Sequence, residues 1–381
     1  NRYDYLNLNT CRFLWKQVKF PTATDASNTT AQVLKQGETQ GSDVAAHSAG
    51  VLNIKTTILP DADALFLTAI DRYGHELWRW TFPVNQLNQQ TEQLSPLSSR
   101  PTYTETENDL TVKANKRTFI FSKKDGQLKG VSVDNRKINF ANGPRFIGVR
   151  RADRSLDQFY NHDDEKAKEK DRTYSEFPDA AVFTKLDVKE DGGNLVVTAN
   201  YKLGNLDKAQ WTINPSGELA LDYTYNFSGV VDLMGIRFDY PEDQVISKRW
   251  LGAGPYRVWQ NRIHGTQYDV WENDYNDPIP GETFTYPEFK GYFGDVSWMN
   301  IQTKEGTISL TNETPDAYIG VYQPRDGRDR LLYTLPESGI SVLNVIPPVR
   351  NKVNSTDLCG PSSQPKWVNG PQTGRVIFRF M

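Results

Sequence analysis

Residues 209–227, with the sequence AQWTINPSGELALDYTYNF, decide the fold class predicted for this chain. Every second residue from Leu219 to Phe227 is a large apolar or aromatic one, which is the period of a strand with one buried face. Residues 209–213 alternate in the same way. Between them, Asn214-Pro215-Ser216-Gly217 has the residue types of a tight turn. The stretch therefore predicts a β-hairpin.

The same alternation recurs on both sides of this hairpin, at residues 195–201 and 376–380. No stretch shows a convincing helical period, and 27 Gly and 21 Pro interrupt the chain every few positions. Many short strands separated by turn residues favour packed antiparallel sheets over a parallel α/β sheet. We therefore predict an all-β protein.

A polar stretch without any period, residues 86–102, divides the chain and is interpreted as a linker. Residues 1–85 fit a small immunoglobulin-like β-sandwich, with Phe13-Leu14-Trp15 and Leu65–Ile70 as core strands. Residues 103–381 are expected to form one large β domain. The absence of a repeat of about 20 to 50 residues disfavours a propeller or a solenoid.

Composition excludes several classes of function. The formal net charge of −3 over 381 residues gives no field that would attract nucleic acid or an anionic membrane. No apolar stretch approaches the roughly 20 residues of a membrane span. The two cysteines, Cys11 and Cys359, are too few for a zinc cage. We expect neither nucleic acid nor membrane as a partner.

A direct search for catalytic groups finds none. Glycosidases generally need two carboxylates flanking the scissile bond, yet the acidic cluster Glu272, Asp274 and Asp277 lies among turn residues. The four histidines lack metal-ligand spacing, and Gly252-Ala253-Gly254 is a lone Gly-x-Gly. We therefore predict no catalytic residue, no metal and no cofactor. The 9 Trp, 18 Tyr and 18 Phe could fill sandwich cores or stack on sugars, and both interpretations stay open.

One segment has a specific resemblance. Trp250-Leu251-Gly252-Ala253-Gly254-Pro255, then Arg262, then Tyr268-Asp269-Val270-Trp271 resembles the C-terminal domain of β-galactosidases of glycoside hydrolase family 2. Asn115-Lys116-Arg117 is similar to the opening strands of that domain. Residues Tyr73 to Trp78 resemble the small immunoglobulin-like domain that precedes it. The resemblance covers nearly the whole chain.

This resemblance implies a galactose-mutarotase-like β-supersandwich for residues 103–381. It also implies that the acid and nucleophile glutamates lie before Asn1, in a (β/α)₈ barrel that needs roughly 250 residues. The chain would then be the non-catalytic part of a retaining, β-galactosidase-like hydrolase. The motif residues are expected to be structural: Trp250, Gly252, Gly254, Pro255, Arg262, Asp269 and Trp271.

The resemblance further implies two elements that reach the mouth of the active site. One corresponds to Arg151-Ala152-Asp153-Arg154-Ser155-Leu156-Asp157, which has lost the family's proline and Asp-Asn-Asp run. The other corresponds to Asp357-Leu358-Cys359, which lacks the family's tryptophan. The candidates for carbohydrate contact are Arg151, Asp153, Arg154, Asp157, Asp357 and Leu358. These departures leave open a sugar other than galactose.

Three functions are therefore weighed. The first is an accessory region whose partners are a glycan and the catalytic domains of the same polypeptide, with homo-oligomer contacts left open. The second is an autonomous carbohydrate-binding module that uses Trp250, Trp259, Trp271 and Tyr256 as a stacking platform. The third is an aldose epimerase, which would need an acid and a base across the sugar ring. Relatives are often exported by bacteria, which favours a periplasmic or secreted location.

Overall fold

The computed structural model describes residues 6–25, 30–85, 99–151, 174–274, 291–321, 338–348 and 360–381. Two compact units are present. Unit 1 comprises residues 1–92 together with Gln267–Trp271, and unit 2 comprises the rest. The division falls between Glu92 and Gln93, within the segment 86–102. The all-β class predicted from the sequence is confirmed, since the described regular elements are strands and short 3₁₀ turns.

Unit 1 contains a four-stranded antiparallel sheet in the order β2-β1-β3-β4. Its strands are β1 (Arg12–Lys19), β2 (Gln32–Gln40), β3 (Ala64–Ile70) and β4 (Glu76–Pro83). Trp15 lies between Gly37 and Leu67 in the register, and a Cβ at Gly37 would lie 2.3 Å from the indole of Trp15. Glycine at this position therefore lets the ring lie across β2. Phe13, Trp15, Leu67 and Ala69 form the core of this face.

The first sheet of unit 2 has the order β21-β22-β16-β10-β8-β7-β6-β5, with β9 and β11 paired at its side. Its strands are β5 (Thr102–Glu105), β6 (Asp109–Ala114), β7 (Arg117–Ser122), β8 (Leu128–Val133), β9 (Arg136–Ile138), β10 (Ala141–Arg151), β11 (Tyr174–Glu176), β16 (Leu233–Asp239), β21 (Tyr318–Val321) and β22 (Ile340–Val345). Neighbouring strands are antiparallel throughout.

The second sheet has nine strands in the order β12-β13-β14-β15-β23-β20-β19-β17-β18. Its strands are β12 (Val182–Asp191), β13 (Asn194–Lys202), β14 (Leu206–Ile213), β15 (Leu219–Val231), β17 (Val245–Gly254), β18 (Gln267–Asp274), β19 (Trp298–Thr303), β20 (Gly306–Asn312) and β23 (Lys366–Phe380). The hairpin predicted from residues 209–227 is confirmed as β14 and β15, with Ile213 opposite Leu219.

An aromatic core joins the two sheets of unit 2. Phe140 stacks on Phe238 with ring centroids 4.7 Å apart and contacts Phe378 at 5.0 Å. Trp211 packs against Phe238 at 6.0 Å, and Phe380 lies 5.3 Å from Phe140. All five side chains are fully buried. The alternating residues of β15 and β23 therefore face this core, as their period predicts.

Candidate functional site

The Trp250–Pro255 motif forms the end of β17 and lies inside unit 2. The Trp250 side chain is fully buried, donates from Nε1 to the carbonyl oxygen of Ala253 at 2.9 Å and packs edge-on against Phe293. A Cβ at Gly252 would lie 3.0 Å from the carbonyl oxygen of Gly294, so this position has little room for a side chain. Gly254 and Pro255 are joined by a cis peptide bond. Residues 250–254 of the motif are therefore packed in the core of unit 2.

The second half of the motif, Gln267–Trp271, belongs to unit 1. The Asp269 carboxylate lies 2.8 Å from Nη2 of Arg79 on β4. Burial raises the pKa of Asp269, while the backbone N–H of Val270 and the Arg79 charge act in the opposite direction. Trp271 donates to the carbonyl oxygen of Gln267 at 3.2 Å, and its ring lies 6.0 Å from the Arg79 guanidinium. Asp269 and Trp271 therefore attach the segment Gln267–Trp271 to Arg79 of β4.

Between the two halves of the motif, residues 258–262 cover the outer face of the ten-stranded sheet of unit 2. Val258 and Tyr292 exchange backbone hydrogen bonds of 2.7 Å. The Trp259 ring packs edge-on against Tyr292 with centroids 5.6 Å apart. Arg262 is exposed and donates its backbone N–H to the carbonyl oxygen of Trp259. The buried residues of this outer cluster are Ile147, Val149, Leu233, Val258, Trp259, Tyr292, Leu343 and Ile346.

The outer cluster holds the base of the segment predicted to be the first mouth element. Ile147 and Val149 of β10 belong to it, and Arg150 donates to the Asp232 carboxylate at 2.6 Å. β10 then ends at Arg151, whose backbone pairs with Tyr174. Asp153, Arg154 and Asp157 lie outside the described residues, as does the side chain of Arg151. The structure therefore locates the strand that carries these candidates and leaves their sugar contacts a prediction.

The base of the segment predicted to be the second mouth element is held by two amides. The Gln260 side chain donates to the carbonyl oxygens of Ser362 and Gln364 at 3.0 and 2.7 Å. Its backbone N–H donates to Pro347 at 3.1 Å. Asn261 donates to the Ser363 hydroxyl at 3.1 Å. Residues on both sides of segment 349–359 are thereby tied to Gln260, while Asp357 and Leu358 lie outside the described residues.

Sequence reasoning missed Gln260 and Asn261. The available signal for these two residues was an amide pair shortly after the Trp250–Pro255 motif. Its hydrogen-bond partners, however, lie about 100 residues downstream. Local periodicity carries no information on such distant contacts.

The proposed ring platform of Trp250, Trp259, Trp271 and Tyr256 is wrong. Trp250 and Trp259 are 0% and 3% exposed, so their ring faces cannot meet a sugar. The exposed tryptophans are others, Trp78 and Trp80 of β4 and Trp367 at the start of β23. In the sequence, the exposure of Trp78 and Trp80 was indicated by the alternation Trp78-x-Trp80-x-Phe82. This stretch forms the edge strand of a small sheet.

Several acidic residues of unit 2 contact arginines and amides, and others contact lysines. Glu218 meets Arg379, and Arg375 lies between Asp222 and Glu313. Among the described residues, no group of three or more His, Cys, Asp or Glu is arranged to hold a metal ion. In the same part of the chain, no helix is long and apolar enough to cross a membrane. His264 is exposed, and His162 lies outside the described residues.

Comparison with known proteins identifies the family. The family model described as beta galactosidase small chain matches residues 113–346, more than half of the 381 residues. The chain therefore belongs to the β-galactosidase small chain family, which confirms the resemblance predicted from Trp250–Pro255 and Tyr268–Trp271. No curated protein matches the chain.

Two solved structures are among those that match this chain in a structural comparison. Galactose 1-epimerase from Lactobacillus acidophilus NCFM has 10% identity and a TM-score of 0.42, covering 74% of this chain and 99% of that one. The GalM/aldose epimerase homologue from C. elegans has 6% identity and a TM-score of 0.37, with the same shares covered.

Proposed function

We propose that this chain is the non-catalytic C-terminal portion of a family 2 glycoside hydrolase of the β-galactosidase type. It buttresses the catalytic barrel and shapes the mouth through which a terminal β-glycoside enters. The match of residues 113–346 to the β-galactosidase small chain carries the proposal. The organisation around Trp259 and Gln260 supports it, because it holds the bases of both mouth elements.

The proposed role is one of positioning. A loop that contacts substrate works best when its ends are fixed, because less conformational entropy is then lost on binding. Here the first element starts at a strand packed into the outer cluster, and the second is bracketed by Pro347 and Ser362. Residues 258–262 contact both bases.

The carboxylates of unit 2 fit a supporting role. A retaining glycosidase needs two carboxyl groups about 5 to 5.5 Å apart, of which one donates a proton. Glu218, Asp222 and Glu313 instead have guanidinium partners at 2.5 to 2.9 Å. Such carboxylates act as hydrogen-bond acceptors in the framework, so the acid and nucleophile are assigned to the barrel.

The test compares three proteins on a panel of nitrophenyl β-glycosides that includes galactoside, glucoside, mannoside and glucuronide. They are this 381-residue chain, a family 2 catalytic barrel, and a polypeptide in which the barrel precedes the chain. We expect hydrolysis only from the joined polypeptide, or at least a rate far above that of the barrel alone. Hydrolysis by the chain alone, or an inert joined polypeptide across the panel, would contradict the proposal.

The same panel of glycosides also tests which sugar the joined polypeptide prefers. The Arg151–Asp157 segment lacks the family's Asp-Asn-Asp run, and Asp357-Leu358-Cys359 lacks its tryptophan. We therefore expect a preference that differs from that of a strict β-galactosidase. A joined polypeptide that cleaves only the galactoside would contradict this part of the proposal.

The alternative function is an autonomous carbohydrate-binding module in unit 1. It is favoured by Trp78 and Trp80, which are 38% and 40% exposed on the same face of edge strand β4. Exposed indoles at alternate strand positions can stack on successive sugar rings. Calorimetric titration of the chain and its Trp80→Ala variant with neutral oligosaccharides tests this, and loss of millimolar binding in the variant is the expected result. Absence of binding to the unchanged chain would end this alternative.

A further inference from the structure

A cavity of about 940 Å³ opens on unit 2. It lies beside the start of β10 and the end of β16, where residues Asn142 to Pro144 form a bulge in β10. Seven of its thirteen lining residues are charged: Lys129, Lys137, Arg145, Arg237, Asp239, Glu242 and Asp243. The volume is within the range of small-molecule sites, but the polar lining is unlike the mostly apolar walls of a typical one.

Two arginines lie side by side in this lining. Arg145 of β10 and Arg237 of β16 are direct cross-strand partners, with side chains 29% and 18% exposed. Like charges at such positions repel each other. In agreement, burial and then the Arg145 charge lower the pKa of Arg237. Glu176, Asp239 and Asp179 act in the opposite direction, so the two neighbouring arginines are held in place by surrounding carboxylates.

Carboxylates hold these arginines at the sides. Asp239 pairs with Nη2 of Arg145 and accepts from the amide of Asn142 at 2.9 Å. Glu176 lies 3.5 Å from Arg237. The Nε of Arg145 donates to the carbonyl oxygen of Asn142 at 2.8 Å. These bonds engage Nε and Nη2 of Arg145, and the Asp179 carboxylate interacts electrostatically with both arginines.

A second cation is available at the rim. Lys137 of β9 is exposed, and it has no ion-pair partner among the residues that the structure describes. Lys137 and Arg145 thus place two cationic side chains in the same lining. Asp239, Glu242 and Asp243 supply carboxylate oxygens in the same lining. The cavity therefore offers both an anion site and several acceptors for hydroxyl groups.

The rim is also fixed. Glu305 accepts from the backbone N–H of Asn139 at 2.9 Å and from the Tyr240 hydroxyl at 3.2 Å. One carboxylate thereby joins the segment before β10 to the segment after β16. A rim held in place by hydrogen bonds lowers the entropy cost of binding.

We propose that this cavity binds an acidic sugar, a polyhydroxylated ring with a single carboxylate or sulfate group. The anionic group contacts Lys137 and Arg145, and the hydroxyls donate to Asp239, Glu242 and Asp243. A ligand with several negative charges fits less well, because three carboxylates repel it. An apolar ligand would leave these charges desolvated and unpaired. The cavity lies at the start of β10, whereas the first predicted mouth segment follows the end of that strand, so the proposal goes beyond the proposed function and does not depend on it.

The test is calorimetric titration of the 381-residue chain with galacturonate, galactose 6-sulfate, galactose and inorganic sulfate at equal ionic strength. We expect the two acidic sugars to bind with millimolar affinity and galactose at least about threefold more weakly, as one exposed charged contact allows. Comparing carboxylate with sulfate shows which anionic group is preferred. Equal affinity for galactose and both acidic sugars would overturn the proposal, and so would equal affinity for inorganic sulfate and galactose 6-sulfate.

Variants locate the binding. Lys137→Ala should weaken both acidic sugars about threefold and leave galactose nearly unchanged. Lys113→Ala is the matched control, because Lys113 is also an exposed strand lysine but lies outside the cavity lining. Trp80→Ala should have no effect, which separates this site from the indoles of β4. Unchanged binding in Lys137→Ala, or equal losses in both lysine variants, would overturn the assignment. None of these readouts involves hydrolysis, so the result is independent of the proposed catalytic partner.

Discussion

Arg379 donates from Nε to the Glu218 carboxylate at 2.5 Å, and both side chains are less than a tenth exposed. Glu218 immediately precedes β15, whereas Arg379 lies near the end of β23. The other oxygen of Glu218 accepts from the amide of Asn214, and Arg379 also reaches the Thr311 hydroxyl. This ion pair therefore ties the turn of the central hairpin to the last strand of the sheet.

Removing one partner of this pair should destabilise unit 2 strongly. Glu218→Leu leaves the Arg379 charge buried without its counterion, which typically costs about 3 to 5 kcal/mol. The double variant Glu218→Leu/Arg379→Met should recover much of this loss, because no buried charge remains. Urea unfolding followed by tryptophan fluorescence measures both. A single variant as stable as the double variant would contradict this account.

The central hairpin shows what the sequence can predict. Residues 209–227 alternate strictly, and their strands pair as expected, because each strand's period reports its own buried face. The grouping of Gln267–Trp271 with unit 1 was not predictable in this way. It depends on Arg79 and Asp269, which are 190 residues apart in sequence. Likewise, the burial of Trp259 follows from Tyr292 and the outer cluster, and no local pattern encodes that contact.

Two tryptophans with opposite environments should respond differently to truncation. Trp250→Ala opens a cavity beside Phe293 and removes the bond to the carbonyl of Ala253, so a loss of about 3 to 5 kcal/mol is expected. Trp367→Ala is the matched control: its side chain is 71% exposed, and a change of at most about 0.5 kcal/mol is expected. The midpoints of denaturant unfolding provide the comparison. Similar losses for both variants would show that the motif tryptophan is not a core residue.

Buried tyrosine should make unit 2 sensitive to alkaline pH. Burial raises the pKa of Tyr223 from 10.0 to about 12, so the folded state keeps a proton that the unfolded state loses. Stability is therefore full below about pH 10 and falls as pH rises towards 12, by up to about 2 to 3 kcal/mol for this group. Tyr223→Phe should flatten that fall, whereas Tyr256→Phe, at a position 46% exposed, should not. Stability measured at pH 9 and pH 11 tests the difference. An equal pH dependence in the Tyr223→Phe variant and the unchanged chain would refute it.

The anchoring role of Gln260 can be tested without any substrate. Gln260→Ala removes the donors to Ser362 and Gln364, and the lost bond to the partly buried carbonyl of Gln364 is worth about 1 kcal/mol. The effect should be local, because the outer cluster around Trp259 keeps its apolar contacts. Hydrogen exchange of the Ser363 and Gln364 amides, which close the 3₁₀ turn at Pro361–Ser363, should therefore accelerate about tenfold or more.

Gln302→Ala is the control for this experiment, because Gln302 is an exposed glutamine on β19 whose side chain accepts from the Thr307 hydroxyl. It should leave exchange at residues 360–364 unchanged. In the joined polypeptide, Gln260→Ala should raise KM more than it lowers kcat, since a loosened base costs binding entropy before it affects the reacting groups. If exchange accelerates over all of unit 2 alike, Gln260 supports the whole fold and has no special role at the base of segment 349–359. If exchange at residues 360–364 does not change, the two amide bonds are not what fixes that base.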